Sequence, residues 1–208
     1  MNQKLSKSHT VFGLLVGLGV IWYLAAHTGQ SDAAADPATS ATLDANAELS
    51  ASDLAKRAAS VKNVISAAAP SDQNGNHFVV AVKQDSIFQG AQTSKDVLHT
   101  ISNHGSKTPY VGVEIQMVET LVDRYGRKSD VPILQLDLTR GDVEKFNYDN
   151  IVGWDVLNVA QVGSLNPVSA QIVAQECAPD DSNAKYAAAF CSSAGDALPV
   201  PPDGVGSK

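Results

Sequence analysis

Residues 110–139, YVGVEIQMVETLVDRYGRKSDVPILQLDLT, decide the fold. Val111, Val113, Ile115 and Met117 alternate with Gly112, Glu114 and Gln116, and from Pro132 the alternation resumes through Leu134, Leu136 and Leu138. A period of two sends successive side chains to opposite faces of a strand. Two such runs joined by the turn-rich DRYGRKSD (123–130) predict an antiparallel hairpin, with Pro132 at a strand start, where its missing N–H is tolerated.

Outward from the hairpin, HFVVAVK (77–83) is short and β-branched and predicts a strand. Residues 94–104 place Val97, Leu98 and Ile101 on one helical face and stop at Gly105, which suits a helix terminus. Further upstream, Ser50 and Asp53 have the spacing of a helix start, and Leu54, Ala58, Val61, Ile65 and Ala68 form one narrow seam up to Pro70. The spacing therefore predicts a helix over 50–69, packed on the protein's own sheet rather than in a coiled coil.

Downstream, 141–150 reads as a short helical turn and loop. Val152, Val156, Val159 and Val162 favour a strand over 151–162, although Trp154, Leu157 and Gln161 also fit helical spacing. Two short helices, 166–177 and 183–193, end before Gly195. The expected fold class is α+β: an N-terminal transmembrane helix, then one domain whose mainly antiparallel sheet is flanked by helices. Its element order over 77–162 matches the ferredoxin-like βαββαβ, and a curved antiparallel sheet on the 50–69 helix fits nearly as well.

The N-terminal helix rests on VFGLLVGLGVIWYLAA (11–26), which carries no charge and follows Lys4 and Lys7. As a helix it spans roughly 24 Å, or roughly 28 Å if extended to Thr28, against a hydrocarbon core of about 30 Å. Its length and the interfacial pair Trp22 and Tyr23 favour a retained anchor. The competing reading is a signal peptide cleaved after Ala33 and Ala35, before Asp36. Either way the rest of the chain crosses a membrane, because positions 28–55 carry no Lys or Arg. Gly13 and Gly17 form a small-xxx-small pair that would let two membrane helices approach.

The expected organisation is 1–10 cytoplasmic, 11–28 anchor or signal peptide, 29–49 a flexible Ala, Ser and Asp-rich tether, 50–195 a periplasmic α+β domain, and 196–208 a disordered tail. The net charge is −7, and Lys4 and Lys7 are the only charged residues among positions 1–29, so the remainder carries −9. Such acidity argues against nucleic acid as a partner. Cys177 and Cys191 are the only cysteines; in an exported domain they read as one disulfide, which requires the residues between the last two helices to loop out.

No recognisable catalytic set is signalled in the sequence, which leaves only a site dispersed along the chain, around His77 or His99, as an enzymatic reading. No serine sits in a GxSxG, no Walker A or GxGxxG loop is present, and the cysteine spacing fits neither a redox pair nor a zinc site. Glu114 and Glu119 have odd spacing and should face opposite sides of a strand. His99 and His104 lie five apart, poorly placed for one metal, and are expected to face solvent or cap a helix. Arg140, Gly141 and Asp142 spell RGD but read as a strand end.

One cluster departs from the acidic background. Arg124, Arg127 and Lys128 accompany Tyr125 at the hairpin tip and suit contact with an acidic partner. The expectation is a non-enzymatic, single-pass inner-membrane protein needing no metal or cofactor, with its N-terminus cytoplasmic. Its periplasmic domain would contact other envelope proteins of a secretion, conjugation or pilus apparatus, and the membrane helix would contact its own copies. The alternative is a cleaved, exported ligand-binding or inhibitory domain.

Overall fold

A computed structural model describes residues 49–164 and 166–197. The anchor, the tether and the tail beyond 197 lie outside the described residues, as do Gly13 and Gly17. Among the described residues no helix is long and apolar enough to cross a membrane. Five strands form one sheet in the spatial order of the chain: β1 (Val64–Ala68), β2 (His77–Lys83), β3 (Gly112–Val122), β4 (Lys128–Thr139) and β5 (Gln161–Ser164). Only β2 and β3 run parallel, and the other three pairings are antiparallel.

The parallel pair is joined by α2 (Ile87–His104). This arrangement is α+β, as the pattern predicts, but it is not ferredoxin-like. There, a third strand separates the parallel strands of each βαβ unit; here β2 lies directly against β3, with Phe78 beside Val113 and Val80 beside Ile115. The remaining helices are α1 (Ala51–Ala59), α3 (Arg140–Lys145), α4 (Gly153–Val159), α5 (Ser169–Glu176) and α6 (Ala188–Ala197).

Alternation sorts the sheet into two faces. Phe78, Val80, Val82, Val113, Ile115, Met117, Leu134, Leu136 and Leu138 are buried under the helices and form the core with Leu54, Ile87, Leu98, Ile101, Leu157 and Phe190. Each such side chain contributes about 1.5–3 kcal/mol by leaving water. The other face carries Val79, Ala81, Glu114, Gln116, Gln135 and Asp137, all only half-buried. There Gln116 Nε2 donates to Glu114 (2.7 Å) and Gln135 Nε2 to Asp137 (2.8 Å), which tempers two carboxylates placed opposite each other in the ladder.

Five boundaries differ from the sequence reading. The predicted helix over 50–69 stops at Ala59. Ser60 closes it, Asn63 turns the chain at φ 69°, and Val64–Ala68 becomes an edge strand on β2. The β-branched Val64 pairs with Val82 there, whereas Ile65 falls at a register shift without a partner on β2 and ends half-exposed rather than in a seam. The predicted strand over 151–162 is mostly α4. Val152 N–H donates to Asp155 Oδ2 (2.9 Å), and Gly153 lets the helix approach α2 so closely that an added Cβ would stand 2.5 Å from Gln92 N. Val156 and Leu157 are buried by helical spacing, and only Gln161–Ser164 pairs as strand.

The helix read over 94–104 begins earlier, where Ser86 caps it by accepting from Gln89 N–H (3.2 Å). Pro132 lies inside β4, beside a register shift between Met117 and Val118, where no further strand pairs outside it. At the carboxyl end α6 runs through Gly195 instead of ending before it. The chain between α5 and α6 loops out as the bridge requires, and Cys177 and Cys191 are joined with Cα atoms 5.6 Å apart.

Candidate interaction surface

The hairpin projects beyond the sheet. β2 pairs β3 only as far as Val118, and β5 pairs β4 only from Leu134 to Asp137, while β3 and β4 remain paired with each other out to Val122 and Lys128. A two-stranded arm thus carries the loop Arg124-Tyr125-Gly126, shorter than the turn read from the sequence. Its geometry is a tight hairpin: Gly126 N–H donates to Asp123 O (2.9 Å), Asp123 N–H to Arg127 O (2.9 Å), and Gly126 takes the left-handed conformation at φ 78°.

Asp123 organises this loop. Its Oδ1 accepts from the backbone N–H of Tyr125 (2.8 Å) and Arg127 (3.0 Å), and its Oδ2 from Arg127 Nε (2.7 Å). The Arg127 hydrogen bonds hold the Asp123 carboxyl below the usual range. Arg124 and Arg127 place their guanidinium carbons 4.7 and 5.5 Å from the centre of the Tyr125 ring. That ring is 68% exposed and Val122 beside it 59%.

The four residues singled out by sequence, Arg124, Tyr125, Arg127 and Lys128, are therefore together, but their partners differ. Arg127 is spent on Asp123, whereas Arg124 and Lys128 have no carboxylate partner among the described residues. At the arm's base Lys83 and Thr120 both bond Asp130, at 3.0 and 2.6 Å, lowering its pKa and tying arm to sheet.

A second feature escaped the sequence reading because it draws on three separated segments. Where β2 leaves the sheet, Asp85 faces Glu119 and Glu119 faces Glu176, which shares a concavity with Asp180 and Asp181. Glu176 reaches the first turn of α2, where Ile87 N–H donates to its carboxylate at 2.8 Å. Burial raises the pKa of Glu176, with Glu119 and Asp181 adding repulsion; burial and then Asp85 raise Glu119. None of these carboxylates forms an ion pair among the described residues. Gln175, Glu176, Asp180 and Asp181 line a concavity of about 290 Å³.

Other candidates are used structurally. Arg140 donates to Ser106 O (2.7 Å), Thr108 O (3.0 Å) and Glu144 Oε1 (2.5 Å) and lies over Tyr110, while Asp142 caps α3 through Thr139, so the RGD triplet is a helix start. His99 is half-buried and stacks on Tyr148 with ring centres 4.8 Å apart, and His104 is buried in the last turn of α2 rather than facing solvent. No group of three or more metal-ligating side chains gathers among the described residues. Glu114 stands opposite Asp137 on the half-buried sheet face, not beside Glu119.

The architecture defines a mixed α+β domain with a projecting basic arm. Comparison with known proteins places it no further: no family model, curated protein or solved structure matches the chain.

Proposed function

We propose that this protein is a non-enzymatic, single-pass inner-membrane component of an envelope assembly, whose periplasmic α+β domain contacts partners through the tip of its hairpin arm. The observation that carries the reading is the tip itself: a loop pinned by the Asp123 carboxylate, with an exposed tyrosine near two guanidinium groups, on an arm that projects beyond the sheet. Tyrosine and arginine are the residue types that dominate binding energy at interfaces. Preorganisation by Asp123 reduces the entropy that contact would otherwise cost.

The membrane and periplasmic parts rest on the sequence: the uncharged run at 11–26, the cations before it and their absence after it. The Cys177–Cys191 bridge suits an oxidising compartment. The test is the intact mass of the protein extracted without reductant, from membranes and from the soluble periplasm. Full-length chain found only in membranes, two hydrogens lighter than its reduced form, is the expected result. A soluble species beginning near Asp36 would overturn the anchor and favour an exported binding domain.

A further inference from the structure

We propose that the basic tip of the arm docks on the acidic end of a second copy of this chain. The inference rests on the reading of the tip as a contact surface and names its partner. Two unsatisfied surfaces on one molecule carry it. The tip is exposed, and among the described residues its Arg124 and Lys128 lack a carboxylate partner. The acidic end is concave, about 290 Å³, and gathers Glu176, Asp180 and Asp181, with Asp85 and Glu119 close by and no paired cation among the described residues. Repulsion within that cluster is relieved when cations arrive from outside.

Shape and placement agree with charge. The strand ends from Glu119 to Val122 carry the loop roughly 10–13 Å past the sheet at about 3.4 Å per residue, long enough to reach into a neighbour. Both features lie at the end where β2 and β3 finish. A two-fold axis through that end sets each tip against the other copy's carboxylates, closing a dimer instead of an open fibre. Pairing through the arm's main chain is disfavoured, because Lys128, Asp130 and Pro132 guard the outer edge of β4. Side chains must make the contact: Arg124 and Lys128 by charge, Tyr125 by its ring, with Arg127 and Asp123 positioning residues for the loop.

A charge exchange in the full chain, kept in detergent with its disulfide intact, tests this. One variant carries Arg124→Glu and Lys128→Glu; the other carries Asp85→Lys and Asp180→Lys, all at exposed positions. Sedimentation velocity should show a salt-sensitive dimer for the wild type, each variant alone weakened by about tenfold or more, and dimer restored on mixing the two. The membrane helix is common to all samples, so pairing through Gly13 and Gly17 cannot produce that pattern. Unaltered association in both variants, a monomeric wild type, or no restoration on mixing overturns the proposal. If the tip variants nonetheless lose crosslinks to another envelope protein in membranes, the contact role of the tip stands and its partner is not this chain.

Discussion

The two halves of the β3–β4 hairpin share one ladder yet meet opposite fates. Near the sheet, Val113, Ile115 and Met117 lie against Leu138, Leu136 and Leu134 with almost no exposure; past Val118 and Pro132 the same strands carry Val122 and Tyr125 into solvent. Ladder pairing made both halves strand, but only the first meets helices. Pairing and burial are therefore separate causes, and a stretch that has the one without the other is available for contact.

Substitutions can break or sharpen this contrast. The largest effect is expected in the buried half: Leu136→Ala should lower unfolding free energy by about 2–5 kcal/mol, measured by chemical denaturation, because the surrounding strands cannot collapse into the space. An effect below that of Tyr125→Ala would break the comparison. Removing the bridge with Cys177→Ser and Cys191→Ser should cost about 3 kcal/mol for a loop of this length, by the same measurement.

A smaller change has the opposite sign. Gln84 is buried at the end of β2 with both side-chain polar atoms unpartnered among the described residues. Gln84→Met should therefore raise stability by about 1 kcal/mol; a loss would show that the amide is satisfied.

Smaller still is a dependence on pH. Glu119 faces Asp85, and Glu176 faces Glu119, Asp181 and the N–H groups of Ile87 and Phe88; both have pKa values raised above the usual 4.5. The folded state thus favours their protonated forms, a stabilisation present at low pH and lost as pH rises through the raised values. Glu119→Gln should flatten stability between that range and neutrality. The exposed Asp123 and Asp130, with lowered pKa values, act oppositely, losing stabilisation below the ordinary aspartate range of 3.8. Last comes Tyr125→Ala, expected to change stability by less than about 0.5 kcal/mol.

The hairpin was legible in the sequence because alternation is local and strong. The basic cluster was legible too, since its residues are neighbours in the chain. What failed depends on distant partners. Ile65 and Ala68 fit a helical seam until β2 offers their segment an edge, and Val156 and Val159 look like strand until Gly153 permits the approach to α2. The acidic end joins residues from positions 85, 119 and 176–181, and no spacing rule links them. Strand order likewise follows from α2 returning the chain beside β2, which element order alone leaves open.

The most direct test places a photocrosslinking residue at position 125, and in a parallel sample at 135 on the half-buried sheet face, in the full chain within native membranes. Contact through the arm predicts a discrete crosslinked product from 125, at twice the chain's mass if the partner is a second copy, and none from 135. Products from 135 with none from 125 would contradict the account, moving the interface from the arm to the face of the sheet.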